Sequence, residues 1–164
     1  MERLEFLKET NPILGKSSDP WDWNKDGEVI ELAKNMLKIM FEHRGIGLAA
    51  PQLGLNKRLF VMGNSNSSFI CVNPEIISGT GSTKEVEGCL SFPGLWLPIN
   101  RYEHVKVIYH DILGRVQEKE FSGIIARVFQ HENDHLNGEC FTKNASSLSL
   151  KLALKKRIKN LRGK

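Results

Sequence analysis

The chain has 164 residues, of which 40% are hydrophobic and 26% are charged. This is the composition of one globular domain that can bury a core without disulfide bonds. The formal net charge is +4, but eight lysines and arginines and no acidic residue follow Glu139, so removing those eight charges leaves −4 on residues 1–139. The excess positive charge is confined to the tail, which predicts an anionic partner for the tail alone.

Several classes of protein are excluded by the same inspection. No apolar run approaches the roughly 20 residues of a membrane span, and the N-terminal MERLEFLKET has the features of neither a signal peptide nor a transit peptide. The three cysteines are an odd number without regular spacing, so they predict no disulfide framework. We therefore expect a cytoplasmic protein with no membrane partner, in which a special cysteine is a metal ligand or a nucleophile.

Hydrophobic spacing and turn residues predict the secondary structure. In chain order, the predicted elements are a helix at 26–43, strands at 58–62, 70–72, 104–111 and 116–121, a helix at 122–138 capped by Ser122, and an amphipathic helix at about 147–161. The clearest strand is HVKVIYHD, which alternates with Val105, Val107 and Tyr109 on one face. Strand pairs and separate helices in this order predict a single α+β domain.

The segment QHENDHLNG, residues 130–138, contains the pattern His-Glu-x-x-His. On a helix, His131 and His135 lie one turn apart on one face and can bind a single divalent cation, while Glu132 lies beside them to handle a proton. The alternative is a solvated polar face that has this pattern by chance. The metal site is favoured because all three residues continue stripes that apolar residues commit to the interior. One stripe consists of Ile124, Val128, His131 and His135, and the adjoining stripe consists of Ile125, Phe129, Glu132 and Leu136.

A third ligand has to come from upstream, because no histidine follows His135 and the last acid, Glu139, is too close to the end of the helix. Cys89, in the segment EGCLS, is favoured since Gly88 permits close backbone approach and a thiolate is a strong donor to a borderline metal. The alternative for this cysteine is a small buried hydrophobic residue. The other upstream candidates are an acidic residue, His43, His104, His110 and Cys71.

A third segment, GIGLAAPQLG at residues 45–54, is rich in small residues. It has no Gly-Lys-Ser/Thr, so a phosphate-binding loop is a poor fit. It is either a tight connection from helix to strand or a loop whose backbone lines a bound peptide, with the Gln52 amide donating to an oxyanion.

The segments GIGLAAPQ, EGCLS and QHENDHLNG, in this order, resemble the three motifs of the peptide deformylase family. The resemblance covers about residues 11–138 and implies antiparallel sheets around a central metal-binding helix, which agrees with the α+β prediction. It also implies roles for individual residues: Cys89, His131 and His135 as metal ligands, Glu132 as general base, Gln52 and the Leu90 backbone N–H as oxyanion donors, and Ile46 and Gly47 as substrate contacts.

The activity that this resemblance implies is removal of the N-formyl group from the formyl-methionine of nascent polypeptides, with release of formate. It implies one divalent metal ion per chain, Fe²⁺ in the active form, with Zn²⁺, Ni²⁺ or Co²⁺ also suited to the donors. It also implies a bacterial cytoplasm, including that of a phage-infected host. Glu87 is expected at the substrate site, paired with Arg101, and a surface ion pair is the alternative. The methionine pocket is expected to be formed by Ile46, Ile125, Val128 and Phe129.

The tail is treated separately, as residues 147–164 after a catalytic domain of residues 1–146. We expect a helix that packs on the body through one apolar stripe and presents its lysines to ribosomal RNA, or alternatively a solvated helix; DNA is not an expected partner. The stripe consists of Leu150, Leu154, Ile158 and Leu161. One rival function is a metal-dependent endopeptidase, against which the lack of a downstream ligand speaks. The other is a non-catalytic module with a structural metal, which would have no use for a base such as Glu132.

Overall fold

The computed structural model of the protein describes residues 4–162. Residues 1–3 and 163–164, which include the last lysine of the basic tail, lie outside the described residues. The helices are α1 (Trp23–Asp26), α2 (Ile30–Glu42), α3 (Gly123–Leu136) and α4 (Ser147–Arg162). The strands are β1 (Gly47–Ala49), β2 (Leu59–Gly63), β3 (Ser68–Thr80), β4 (Thr83–Gly88), β5 (Trp96–Arg101), β6 (His104–His110) and β7 (Val116–Ser122).

The strands form two antiparallel sheets. The larger sheet has the order β1-β2-β3-β6-β7, and the smaller one is a ribbon of β4 and β5. On β6, Val105, Val107 and Tyr109 are buried while the residues between them are not, which confirms the predicted alternation. The prediction of a single α+β domain with antiparallel sheets is confirmed.

Helix α3, which contains QHENDHL, packs on the larger sheet. The ring of Phe129 meets that of Phe60 on β2 edge to face, with 5.0 Å between the centroids. At the C-terminal end of α3, where unpaired carbonyls carry partial negative charge, the Arg58 guanidinium donates to the Leu136 carbonyl at 3.2 Å and to the Asn137 side chain at 3.0 Å. These contacts hold the motif helix at the centre of the fold, as the resemblance implied.

Three details differ from the prediction. The helix predicted at 26–43 corresponds to α2 and begins later, at Ile30, because Gly27, with φ of 73°, separates it from the short helix α1, which the sequence did not predict. The strand predicted at 70–72 is longer, because β3 continues through Pro74. Pro74 lacks an N–H, but it falls at a register shift in the pairing with β6 and therefore does not end the strand. Ser122 precedes α3 but makes no side-chain capping hydrogen bond.

The C-terminal helix α4 is present, but the predicted packing of its stripe is wrong. Only Leu150 of the four stripe residues packs against the body, and it does so together with Ala153. Their partners are Leu95, Leu97, Ile99 and Phe141. The other three stripe residues are exposed, up to 68% for Leu161. Over the range 4–162, no helix combines the length and apolar character required to cross a bilayer.

Candidate metal centre and catalytic cleft

Three predicted ligands meet at the centre of the molecule. Cys89 directly follows β4, and His131 and His135 lie on α3. One donor atom from each residue lies within 4.8 Å of the others, and the Cys89 Sγ is 3.2 Å from the His135 Nε2. Within residues 4–162, this is the one cluster of three such side chains with metal-binding spacing.

The other upstream histidines and Cys71 do not belong to the cluster found among residues 4–162. His43 packs edge-on against Phe6, His110 packs against Trp23, and Cys71 is buried in the core of the large sheet. The sequence prediction that favoured Cys89 therefore agrees with the geometry.

The donor set fits a divalent transition metal. One thiolate and two imidazoles suit zinc, iron, nickel or cobalt, and such a site leaves a fourth position open. Burial lowers the pKa of His135 well below its usual value, which keeps this imidazole in its neutral, metal-binding form. Burial also lowers the pKa of His131, but hydrogen bonding with Cys89 and Glu87 outweighs it and raises this pKa to about 10. A cation bound to the imidazole would replace the proton held there.

His131 is oriented by a buried carboxylate. Glu87 Oε2 lies 3.0 Å from the His131 Nδ1, and the same carboxylate accepts hydrogen bonds from Arg101 Nε at 2.7 Å and Arg127 Nη1 at 2.7 Å. Burial would raise the pKa of Glu87, but its bonds with His131 and Arg101 lower it to about 2. The alternative of a surface ion pair between Glu87 and Arg101 is wrong, since both side chains are buried.

Arg127 was missed by the sequence reasoning. Besides Glu87, it donates to the backbone carbonyls of Ile99 at 3.1 Å and Thr83 at 2.8 Å. It therefore joins α3 to both strands of the β4–β5 ribbon. Its position four residues before His131 was the available signal, because residues at that spacing share a helix face.

Glu132 lies beside the metal ligands in a tight space. Its Oε2 is buried without a hydrogen-bond partner, an unfavourable state for a carboxylate that a nearby cation or water would relieve. A Cβ atom at Gly47 would overlap the Glu132 carboxylate, so the absence of a side chain there lets the loop approach it. Burial raises the pKa of Glu132 to about 7, and a bound divalent cation would lower this pKa again.

Gln52 reaches the same place from the loop that follows β1. Its Oε1 accepts from the Ala49 N–H at 2.8 Å, which fixes the amide so that Nε2 points towards the centre. There Nε2 lies 3.0 Å from the Ser91 Oγ and 3.5 Å from the Cys89 Sγ. Ser91 was also missed. The structure thus brings an amide donor to the metal centre, and Leu90 follows the metal-ligating cysteine directly.

A cleft of about 600 Å³ opens over these residues. Of the predicted methionine pocket, Ile46 and Val128 line the cleft, whereas Ile125 and Phe129 pack in the core against the large sheet. The prediction for those two residues is wrong because the face of α3 that carries Phe129 is turned to Phe60. The other cleft residues named by the sequence are Gly47, Gln52, Glu87, Cys89, Leu90, His131 and Glu132, and apolar ones that it missed are Val86, Trp96 and Ile124.

Comparisons with known proteins agree with this geometry. The polypeptide deformylase family profile matches residues 4–151. A peptide deformylase from Thermotoga neapolitana is 40% identical over 157 residues, which are 93% of this chain and 95% of that protein. The crystal structure of a peptide deformylase from Synechococcus elongatus in complex with actinonin has a TM-score of 0.88 at 36% identity, covering 94% of this chain and 85% of that one. The crystal structure of the peptide deformylase from Thermotoga maritima has a TM-score of 0.82 at 36% identity, covering 89% of this chain and 99% of that one.

Proposed function

The chain belongs to the peptide deformylase family, metal-dependent hydrolases that remove the N-formyl group from nascent peptides, and we propose that Cys89, His131 and His135 hold its metal ion. The observation that carries this proposal is the convergence of a sulfur and two imidazoles to within 4.8 Å of one another, beside the unpaired Glu132 Oε2. An open coordination position and a buried carboxylate next to it suit hydrolysis better than a structural metal site.

We propose Fe²⁺ as the ion of the active enzyme. The three donors also suit Zn²⁺, Ni²⁺ or Co²⁺. When bound, the ion would supply Lewis-acid chemistry, which lowers the pKa of water towards about 7 and polarises a carbonyl oxygen. Glu87 supports the site by holding the His131 ring through Nδ1, since a carboxylate at this position makes the imidazole a better donor.

Glu132 acts as the general base and then as the general acid. It takes a proton from the water that adds to the formyl carbon, and it gives this proton to the nitrogen as the C–N bond breaks. The products are formic acid and the N-terminal amine, and the proton that formic acid releases as it ionises to formate is taken up by the amine, so every atom of the added water is accounted for. The Glu132 Oε2 is buried beside the metal ligands without another hydrogen-bond partner, so it is free to make both transfers.

The negative charge that develops on the formyl oxygen is stabilised by two donors, the Gln52 side-chain amide and the Leu90 backbone N–H. The amide is already held by its bond from the Ala49 N–H, so little reorganisation is needed during the reaction. Removing one such donor typically lowers the rate by about 10²–10³.

The substrate lies in the cleft over these groups. Ile46, just before β1, and Gly47, the first residue of β1, contact it, and the close approach of Gly47 to Glu132 narrows the space for the acyl group, which suits one as small as formyl. Glu87 also lines the cleft, but its two oxygens are engaged by Arg101, Arg127 and His131. We therefore assign it the supporting role.

The test is formate release from formyl-Met-Ala-Ser by anaerobically purified protein. The control substrates are unformylated Met-Ala-Ser and a longer peptide that offers internal peptide bonds. Glu132→Ala is expected to keep the metal content near that of the parent and to lose turnover, because the base is removed and the ligands remain. Turnover at the parent rate would refute the role of Glu132. Cleavage of internal peptide bonds in place of deformylation would favour the endopeptidase, and metal binding without either activity would favour the non-catalytic module.

We further propose that residues 147–164 form a ribosome-contacting element, attached to a catalytic domain of residues 1–146 and acting in a bacterial cytoplasm, where nascent chains are made. The support is the charge of α4, which carries lysines and arginines without an acid, and the exposure of its lysines. Basic surfaces bind nucleic acid phosphates in a salt-dependent way.

Charge reversal tests this contact. Lys155→Glu, Lys156→Glu and Lys159→Glu together are expected to weaken co-sedimentation with ribosomes and to flatten its salt dependence. The matched control reverses the same number of exposed lysines away from the tail, namely Lys25, Lys34 and Lys38. Equal sedimentation of the parent and both variants would overturn the ribosome contact and leave the assignment of the metal site untouched.

A further inference from the structure

We propose that Trp96 and Val86 form an apolar platform for the second or third residue of the formyl-peptide substrate, and that this platform makes the enzyme favour bulky apolar side chains there. The inference rests on the proposed function, since it assumes that a formyl-peptide lies in the cleft. It adds a preference that the metal centre itself cannot produce.

The platform follows from the register of the β4–β5 ribbon. Trp96 pairs with Gly88, and Val86 pairs with Pro98 two residues further along, so all four lie on one face of the ribbon. Trp96 and Val86 are 63% and 64% exposed. The opposite face of the ribbon carries Glu87 and Leu97, which are buried. One face of the ribbon therefore supports α3 through Glu87, and the other presents Trp96 and Val86, which line the exposed part of the cleft.

The indole of Trp96 lies against the backbone of Gly88. A Cβ atom at Gly88 would come within 2.8 Å of the ring, so the ring can take this position only because residue 88 has no side chain. Gly88 immediately precedes Cys89, and successive Cα atoms are about 3.8 Å apart. The platform thus begins one residue away from the metal-ligating sulfur. A ring already held against the backbone loses little freedom when a ligand packs on it.

Two more exposed apolar side chains line the same cleft, Ile46 at 51% and Ile124 at 56%. Contiguous exposed apolar groups at a cleft mark a binding surface more often than scattered ones do. With Trp96 and Val86, they make the mouth of the cleft apolar, above a floor that includes Glu132 and His131.

The occupant follows from chain geometry. The formyl carbon is separated from the methionine Cα by one nitrogen, so the methionine side chain must lie deep in the cleft, near Val128 and His131. The next two Cα atoms lie about 3.8 and at most about 7.6 Å further along the substrate. Their side chains are the parts of the peptide that reach the outer, exposed surface of the ribbon.

The experiment compares C-terminally amidated formyl-peptides, because a free carboxylate could pair with Arg44 at the edge of the cleft. The series is formyl-Met-X-Ala-amide and formyl-Met-Ala-X-amide, with X as Ala or Phe. The measured quantity is the ratio of kcat/KM for Phe to that for Ala at each position. We expect a ratio of about 10 at one position or both, the scale of burying part of an aromatic side chain.

Trp96→Ala is expected to reduce this ratio to within about twofold of 1, and Trp96→Phe to retain part of it, because an aromatic face remains. Val86→Ser should reduce the ratio as well and decides the question should Trp96→Ala fail to fold. The matched control is Leu113→Ala, an equally exposed apolar residue in the β6–β7 turn, which should keep the parent ratio.

A parent ratio near 1 at both positions, or an unchanged ratio in Trp96→Ala and Val86→Ser, would overturn the platform. Failure of the proposed function is a different result, namely no formate from formyl-Met-Ala-Ser or from any peptide of the series.

Discussion

Helices α3 and α4 are of similar length, 14 and 16 residues, but they differ in what surrounds them. Ten residues of α3 are buried, including Arg127, Gln130 and Glu132. No residue of 147–161, the part of α4 with described side chains, is fully buried. Buried polar side chains such as Arg127 and Gln130 find their hydrogen-bond partners inside the protein, so the surroundings of this helix are fixed. A helix on the surface leaves its exposed faces to the solvent or to a partner.

The largest expected effect comes from removing the Cys89 sulfur, which lies beside the buried helix α3. Cys89→Ala should reduce the co-purified metal to background and turnover to below detection, because two imidazoles alone hold a divalent ion weakly. Cys140→Ala is the matched cysteine control, since this thiol is no member of the ligand cluster and its described hydrogen bond, to the Leu14 carbonyl, is long at 3.9 Å. Metal analysis and formate release measure both. Stoichiometric metal in Cys89→Ala would contradict the assigned ligand set.

A smaller effect is expected when the carboxylate behind His131 is altered. Glu87→Gln keeps the shape but weakens the bond to the His131 Nδ1 and leaves Arg101 and Arg127 facing a neutral amide. We expect metal affinity about 10–100-fold lower, measured by competition with a chelator. Glu118→Gln, which disrupts only an exposed pair with Lys106, should have no effect. Equal affinity in both variants would show that Glu87 does not support the metal.

The packing beneath α3 predicts a pH dependence of stability. Burial raises the pKa of Tyr109 from 10.0 to about 12, so the folded state holds this proton more tightly than the unfolded state. The stabilisation is complete below pH 10 and is lost as the pH rises through 12. After allowing for solvent screening, we expect a loss of about 1–2 kcal/mol. Urea unfolding at pH 9 and pH 12 measures it, and Tyr109→Phe should lack this part of the loss.

The smallest effect separates the two faces of α4. Leu150→Ala should lower the free energy of unfolding by about 1 kcal/mol, because Leu150 packs on the cluster of Leu97 and Phe141. Leu161→Ala should change it by less than about 0.5 kcal/mol, since this side chain is 68% exposed. Both are measured by urea unfolding at neutral pH. Equal losses would mean that the outer face of α4 is covered in solution.

The sequence predicted the centre of the site better than its surroundings. Cys89, His131, His135 and Glu132 were accessible because metal chemistry restricts which residues can serve and at what spacing. Arg127 was not accessible in the same way, since its partners Thr83 and Ile99 come together only through the register of β4 and β5. Local patterns contain no information about such long-range pairing.

The error in α4 has a similar origin. An amphipathic pattern indicates which face of a helix is apolar, but it does not indicate whether that face is covered. Leu154 and Ile158 match the predicted stripe and remain exposed. Trp96 was missed because a single aromatic residue in a short strand is usually a core residue. Its exposure at the cleft follows from the pairing of β5 with β4, which sets it opposite Gly88.

The bonds of Arg127 have a consequence for local motion. Its guanidinium donates to β4, to β5 and to the carboxylate that orients His131, so the ribbon cannot separate from α3 without disturbing the support of the ligand. Opening of the ribbon and release of the ion are thereby thermodynamically linked. Amide hydrogens of the ribbon should exchange more slowly with solvent deuterium in the loaded protein than in the chelator-treated one.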